Sequence, residues 1–178
     1  MKYSYDENTS PWIWRMAQAS DIADMLNLTE TYFQGEIEGI FTPNRYLYCY
    51  NLEQSILNQT YFHAKEQLLV ARDKTSNKLL AYSWLGREGQ TLYAHEELAE
   101  ARFIHLDLTL SARKRITLTA QILQFWQAWC YACNIPVLVS TSIRTDQGAF
   151  MRLHQELGFT VRGSLAYLRI NLNKEQTQ

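Results

Sequence analysis

Alternating hydrophobic and polar positions predict several β-strands along this chain. The clearest run is residues 103–110, FIHLDLTL, in which four aliphatic side chains fall on one face of a strand. The opposite face carries Phe103, His105, Asp107 and Thr109. The same kind of pattern predicts further strands at residues 12–16, 67–72, 78–86, 136–141 and 164–171.

Apolar residues spaced three and four positions apart predict the helices that separate these strands. One helix begins near residues 17–21, a second follows Asn44, a third ends before Pro136, and a fourth covers residues 146–157. A loop is predicted over residues 33–43. Asn44 is a suitable N-cap, because its side-chain oxygen can accept from an amide of the first turn. The resulting order, β-α-α-β-β-β-α-β-α-β, predicts an α/β fold around one mixed sheet.

The length of 178 residues predicts a single domain, which we place at residues 1–173, followed by a polar tail at 174–178. No apolar run approaches the roughly 18 residues that a membrane-spanning helix needs, and the N-terminus lacks the apolar core of a signal peptide. Three cysteines, an odd number, argue against a disulfide framework. We therefore expect a cytoplasmic protein that does not associate with membranes.

The charge is distributed unevenly, although the net charge is only −1. Residues 1–101 carry 8 Lys and Arg against 14 Asp and Glu, whereas residues 102–169 carry 8 against 3. Two interpretations are open: the basic half binds an anion, or the two halves attract each other. The near-neutral total lacks the broad basic surface that nucleic-acid binding usually needs, so no nucleic-acid partner is expected.

The stretch LSARKRITLTAQIL places the basic residues Arg113, Lys114 and Arg115 where a strand gives way to a helix. Amides at a helix N-terminus lack intrahelical acceptors and carry the positive end of the helix dipole. Basic neighbours would strengthen an anion site of this kind. The alternative is that the triplet is a solvated helix start with no ligand.

Two segments, LDLTLSARKR and DQGAFMRLHQELGF, together with the order of elements, resemble the GNAT acetyltransferase superfamily. The most specific match is MRLHQELGF, which ends in Leu157-Gly158-Phe159 as a family helix does. The resemblance covers most of the chain and implies a mostly antiparallel central sheet flanked by helices. It also implies acetyl-CoA as co-substrate, a small-molecule or peptide amine as acceptor, and a possible homodimer.

The pyrophosphate loop of the family has the form Arg/Gln-x-x-Gly-x-Gly/Ala, and this chain departs from it. Counting from Arg113 puts Ile116 and Leu118 in the glycine positions. Glycine lets a phosphate approach the backbone closely, but a loop with helical φ and ψ has no need of it. Two hypotheses follow: an active N-acetyltransferase that transfers acetyl by direct attack of the amine on the thioester, or a non-catalytic module that no longer binds coenzyme A.

The resemblance assigns roles to particular residues. It implies coenzyme A binding by one set, namely Leu108, Thr109, Leu110, Arg113, Lys114, Arg115, Ile116, Thr117, Leu118 and Gln147. His154 stands where many members have a Tyr that protonates the departing thiolate. Asp107, or His105 beside it, is a candidate base for the amine, unless a helix covers that face and the two are structural. No metal site is expected.

Overall fold

The computed structural model describes residues 3–36, 40–90, 94–141 and 148–162. The strands are β1 (Trp12–Met16), β2 (Glu66–Asp73), β3 (Leu79–Gln90), β4 (Glu97–Leu106) and β5 (Val137–Val139). The helices are α1 (Ile22–Glu36), α2 (Arg45–Tyr61), α3 (Ala112–Ala132) and α4 (Gly148–Glu156), and a short 3-10 turn (Ala19–Asp21) precedes α1. Within these ranges, no helix is both long enough and apolar enough to cross a membrane.

The five strands form one sheet in the order β1-β2-β3-β4-β5. The first four pair antiparallel with their neighbours, and β5 lies parallel to β4. This confirms the prediction of a single mixed, mostly antiparallel sheet flanked by helices. The predicted strand at 164–171, the domain end at 173 and the tail at 174–178 lie outside the described residues.

The helices bury both faces of the sheet. On one face α1 and α2 pack Met25 and Leu52 against Val70 and Tyr82, all of which are inaccessible to solvent. On the other face α3 packs a buried row against β1, β2 and β3, and this row comprises Leu118, Ile122, Leu123 and Trp126. Burying an aliphatic or aromatic side chain of this kind stabilises the fold by about 1.5–3 kcal/mol.

One buried amide fastens α3 to the edge of the sheet. Gln121 Oε1 accepts hydrogen bonds from the indole N–H groups of Trp12 at 3.0 Å and Trp14 at 2.8 Å. Both indoles lie on the same face of β1, because the two residues are two positions apart on a strand. The contact fixes the position of α3 along the sheet and therefore the position of its N-terminus.

A buried carboxylate fastens α1 to the same edge on the opposite face of the sheet. Asp21 is 1% exposed and receives both guanidinium N–H groups of Arg15, at 2.6 and 2.8 Å, and Nε of Arg72 at 2.9 Å. It also accepts from the Gln18 amide at 2.8 Å. Arg72 reaches on to Asp24 at 2.7 Å. β1, β2 and the start of α1 therefore share one ion-pair network.

Several predicted boundaries were wrong. α1 continues to Glu36 through part of the predicted loop at 33–43, since a single glycine in a helix costs only about 1 kcal/mol. β4 begins at Glu97, where antiparallel pairing with β3 recruits a polar segment. β4 also ends at Leu106 instead of Leu110, because the Asp107 carboxylate bonds Thr109 and turns the chain. The Asn44 cap is confirmed, because its Oδ1 accepts from the Leu47 amide at 3.0 Å.

The Asp21 network predicts a stability that depends on pH. Burial alone raises the pKa of Asp21, but the hydrogen bonds from Arg15, Gln18 and Arg72 outweigh burial and hold the pKa below its usual value. A lowered folded pKa contributes stability above the unfolded pKa of about 3.9, and this contribution is lost as pH falls through the folded pKa. We expect Asp21→Asn to cost about 3 kcal/mol at neutral pH, measured by denaturant unfolding.

The difference between Asp21→Asn and the wild type should shrink as the pH falls below about 4. Asp24→Asn is the matched control, and because the Asp24 side chain is 49% exposed it should cost less than about 1 kcal/mol. A difference between Asp21→Asn and wild type that stays constant down to about pH 3 contradicts the assignment.

Candidate active site

The two parallel strands at the end of the sheet separate partway along their length. Among the described residues, β5 pairs with β4 only through Leu98–Val137, Ala99–Leu138 and Glu100–Val139. β4 runs on to Leu106, six residues beyond its last described pair with β5. We call the space between residues 101–106 of β4 and the two residues that follow β5, Ser140 and Thr141, the β4–β5 gap. It opens toward the C-terminal ends of both strands.

A tight turn ends β4 at the mouth of this gap. Asp107 donates its amide to the Leu80 carbonyl at 2.8 Å, and its carboxylate accepts from the amide of Thr109 at 2.9 Å and from its hydroxyl at 2.6 Å. Leu110 N–H closes the turn on the Asp107 carbonyl at 3.1 Å. The expected strand through Leu108, Thr109 and Leu110 is therefore wrong, because an aspartate that bonds the backbone two residues ahead favours a turn over a strand.

The Asp107 carboxylate is held ionised. Its second oxygen is 2.6 Å from the ammonium of Lys78, and the residue is 5% exposed. Burial raises the pKa of Asp107, but the hydrogen bonds from Lys78 and Thr109 outweigh it and lower the pKa overall. Asp107 is thus a weaker proton acceptor than an unperturbed carboxylate, although it carries its charge throughout the neutral range.

The helix that follows the turn starts beside the gap. α3 begins at Ala112, six residues after Leu106, so its N-terminus lies at the end of the sheet toward which the β4–β5 gap opens. Ser111 is the N-cap, and its hydroxyl accepts from the Lys114 amide at 3.4 Å. Among the described residues, positive φ outside glycine is confined to Asn77 and Asn134. The start of α3 is therefore regular helix that does not require glycine.

The helical conformation at the start of α3 determines which backbone amides can bind an anion. Arg115 N–H is already bonded to the Ser111 carbonyl at 3.0 Å, and regular helix geometry bonds the later amides in the same way. The amides without intrahelical acceptors are those of Ala112, Arg113 and Lys114. The predicted cradle therefore shifts toward the N-terminus, since the amides of Ile116, Thr117 and Leu118 belong to the helix.

Side chains around the start of α3 differ in their exposure and in whether they have hydrogen-bond donors left for an anion. Arg113 and Lys114 are exposed, whereas Arg115 is half-buried. Arg115 Nε is buried with no hydrogen-bond partner in the part of the chain that the structure describes. Thr117 donates its hydroxyl to the Arg113 carbonyl at 3.0 Å, so this proton is used within the helix. Leu118 is fully buried in the core and turns its side chain away from the surface.

His154 lies on α4 and reaches the residue that follows β5. It is 1% exposed, and its Nε2 is 2.9 Å from the hydroxyl of Ser140. Its Nδ1 is 2.8 Å from the carbonyl oxygen of Phe150. A carbonyl oxygen only accepts, so Nδ1 carries a proton. The neutral ring then accepts the Ser140 hydroxyl proton at Nε2.

The environment of His154 keeps the ring neutral. Burial lowers its pKa, and the hydrogen bond to the Phe150 carbonyl offsets only part of this effect. The rings of Phe150 and Phe159 pack edge-on against the imidazole, with centroids 4.2 and 4.9 Å away. These aromatic neighbours exclude water and fix the orientation of the ring.

The segment Leu157-Gly158-Phe159 holds this arrangement in place. Gly158 has φ +91, a left-handed conformation that ends α4 at little cost only for glycine. The amide of Phe159 then donates to the His154 carbonyl at 3.0 Å, and this folds the aromatic ring back onto the imidazole. The motif thus shapes the surroundings of His154.

The structure brings some of the predicted site residues together. The Asp107 turn and residues 111–115 lie along one chain segment at the mouth of the gap, and His154 contacts the end of β5. Gln147 lies outside the described residues. Sequence reasoning missed Ser111, Ala112 and Ser140. A serine before a helical pattern is a recognisable cap signal, whereas nothing local marks Ser140.

Comparisons by sequence and by structure gave different results. No family model matches the chain, and no curated protein matches it by sequence. Solved structures do match over most of the chain. An aminoglycoside 6'-N-acetyltransferase from Acinetobacter baumannii superposes with a TM-score of 0.65 at 16% identity, covering 90% of this chain and 99% of its own.

Two further acetyltransferases match equally well. The glucosamine-6-phosphate N-acetyltransferase of Arabidopsis thaliana gives a TM-score of 0.67 at 12% identity, with 91% and 100% of the chains covered. A second aminoglycoside 6'-N-acetyltransferase, solved with a bisubstrate analogue of coenzyme A, gives 0.68 at 12% identity, with 91% and 99% covered. The chain therefore has the GNAT fold, as its motifs implied.

Proposed function

We propose that this GNAT-fold protein is an acetyl-CoA-dependent N-acetyltransferase that moves an acetyl group to an amine of a small molecule or peptide. The observation that carries the proposal is the coincidence of two features. β4 and β5 separate after Glu100, and the amide-rich start of α3 lies at the open end of the gap between them. An extended thioester can lie in such a gap with its phosphates against a helix N-terminus.

The residues at the start of α3 fit a pyrophosphate. The amides of Ala112 and Arg113 would donate to its oxygens, and Arg113 and Arg115 would add charge-assisted hydrogen bonds. The buried Nε of Arg115 with no partner in the described structure supports this fit, because buried donors normally find acceptors. When bound, acetyl-CoA supplies an activated acyl group as its thioester.

Asp107 and His154 would transfer protons during the reaction. Asp107, at the mouth of the gap, would accept the proton of the attacking amine through a chain of water molecules along β4. On the other side, His154 does not face the gap directly, because the Ser140 hydroxyl occupies its Nε2. The proton of a protonated His154 would therefore reach the departing thiolate through Ser140.

The acetyl acceptor is proposed only as a class of amine, whereas the acetyl donor is proposed as acetyl-CoA. The structures matched above act on aminoglycosides and on glucosamine-6-phosphate, both of which are small amines. Direct attack of such an amine on the thioester needs a neutral nitrogen and two proton transfers. The groups just described supply those transfers. A homodimer in the cytoplasm remains part of the proposal.

A second candidate is a GNAT-fold binding module that no longer takes coenzyme A. The glycine-free start of α3 favours it, because Ile116, one turn into the helix, is 45% exposed where the family has glycine. The two candidates differ in one measurable property, which is the affinity for acetyl-CoA.

Isothermal titration calorimetry with acetyl-CoA tests the proposed binding site. We expect saturable micromolar binding by the wild type. Arg113→Glu combined with Arg115→Glu should weaken binding by about tenfold to 100-fold or more, because charge-assisted hydrogen bonds are replaced by like-charge repulsion. Lys65→Glu, at an exposed position between α2 and β2, is the control and should bind normally. No heat from the wild type at millimolar ligand would support the binding-module candidate.

Replacing the carboxylate of Asp107 tests its role as proton acceptor. Asp107→Asn keeps an oxygen for Thr109 but loses the negative charge. It should lower kcat/KM by about 10²- to 10⁴-fold without changing the affinity for acetyl-CoA. Lys78→Gln removes the cation that lowers the pKa of Asp107, so the acid limb of the pH profile should move to higher pH. Activity of Asp107→Asn close to wild type would leave Asp107 as a turn residue.

The pH dependence of turnover tests His154. The fraction of protonated His154 grows as pH falls, and the lowered pKa keeps this fraction small at neutral pH. The kcat ratio of wild type to His154→Gln should therefore increase from about pH 8 to about pH 6. Gln155→Ala, on the exposed side of α4, should give a ratio near one at every pH. A ratio for His154→Gln that does not change with pH removes His154 from proton transfer.

A further inference from the structure

Ser140, His154 and the Phe150 carbonyl form a chain of hydrogen bonds at the point where β5 leaves β4. Ser140 directly follows Val139, the last residue of β5 that pairs with β4. Its hydroxyl oxygen is 2.9 Å from His154 Nε2, and His154 Nδ1 is 2.8 Å from the Phe150 carbonyl oxygen. A hydroxyl, a ring nitrogen that accepts its proton and a third group that orients the ring constitute an activated nucleophile.

The tautomer of His154 determines what this chain can do. Because the Phe150 oxygen can only accept, the neutral ring keeps its proton on Nδ1 and presents a lone pair at Nε2. The ring is therefore a base toward Ser140 in its neutral form. The Phe150 carbonyl fixes the tautomer, as a carboxylate does in serine hydrolases.

The solvent exposure of Ser140 and that of His154 differ in the way that a nucleophile and its base require. His154 is buried at 1% exposure behind Phe150 and Phe159, whereas Ser140 is half-buried at the edge of the β4–β5 gap. A substrate beside Ser140 would therefore meet the hydroxyl before the imidazole. The packing of the two rings also shields the imidazole from water.

We propose that Ser140 is a nucleophile, activated by His154, that takes an acyl group from a thioester bound in the β4–β5 gap when no amine is present. This inference rests on the proposed function for the thioester. The Ser140 oxygen attacks the carbonyl carbon, and its proton moves to His154 Nε2. The C–S bond then breaks with its electron pair on sulfur, and the imidazolium returns that proton to the thiolate. The products are acetyl-Ser140 and free coenzyme A.

Water can complete the cycle. It attacks the acetyl-Ser140 ester and gives one proton to the neutral His154. Acetic acid leaves as the serine oxygen recovers that proton from the imidazolium, and the acid ionises to acetate in solvent. The protein would then hydrolyse acyl thioesters slowly as a second activity. Transfer to an amine by direct attack does not require this intermediate.

Two reagents test the inference on the intact protein. Diisopropyl fluorophosphate labels activated serines without any need for coenzyme A, and acetyl-CoA alone should leave one acetyl group on the chain. Mass spectrometry should locate both adducts on Ser140. Ser140→Ala should lose both adducts, whereas Thr141→Ala, at the exposed next position, should keep both. His154→Gln should slow labelling by about 10²- to 10⁴-fold.

The outcomes separate this inference from the proposed function. Acetyl-CoA binding by calorimetry without any adduct on Ser140 overturns the inference and leaves the transferase intact. Labelling of Ser140 by the fluorophosphate without acetyl-CoA binding refutes the transferase and overturns acyl transfer from coenzyme A, and it leaves only the activation of Ser140 by His154 supported. Equal labelling of Ser140→Ala and wild type also overturns the inference. Circular dichroism and thermal unfolding confirm that each variant is folded. If His154→Gln does not fold, Ser140→Ala still provides the test, because it removes only a half-buried hydroxyl.

Discussion

The short pairing between β4 and β5 is the constraint on which the rest of the site depends. Parallel strands that stayed paired to the end of β4 would close the sheet, and no ligand could enter between them. Here the pairing in the described structure stops at Glu100, so the second half of β4 faces a gap. The groups proposed for the site lie along this gap. The Ser140–His154 pair lies where the strands separate, and the Asp107 turn and the start of α3 lie at the open end.

The two faces of the sheet hold this opening at fixed geometry. Gln121 binds two indoles of β1 through one oxygen, so α3 cannot slide along the sheet without leaving buried N–H groups unpaired. Such a loss costs about 1–3 kcal/mol for each group. On the other face, Asp21 joins β1, β2 and α1. The position of the first amides of α3 is therefore set by contacts far from any ligand.

The fold was predictable because its signals are local or periodic. Helical spacing, strand alternation and the Asn44 cap depend on neighbours within a few residues, and the structure follows them. The end of β4 was missed because the aliphatic pattern continues through Leu108 and Leu110, while one carboxylate, Asp107, folds the chain back. Ser140 was missed for a different reason. Its significance comes from His154, fourteen residues later, and only tertiary structure brings the two together.

The two roles proposed for His154 belong to different protonation states of one ring. Protonated, it holds a proton at Nε2 that Ser140 can pass to a leaving group; neutral, it accepts the Ser140 proton at the same atom. The Phe150 carbonyl keeps Nδ1 protonated in both states, so the ring does not have to turn between them. Burial lowers the pKa of His154 and favours the neutral state.

A tyrosine at this position would donate a proton but, with an ordinary pKa near 10, would rarely accept one. Histidine thus adds a base at this point of the fold, and a base beside a hydroxyl is the requirement for acyl transfer to the protein itself.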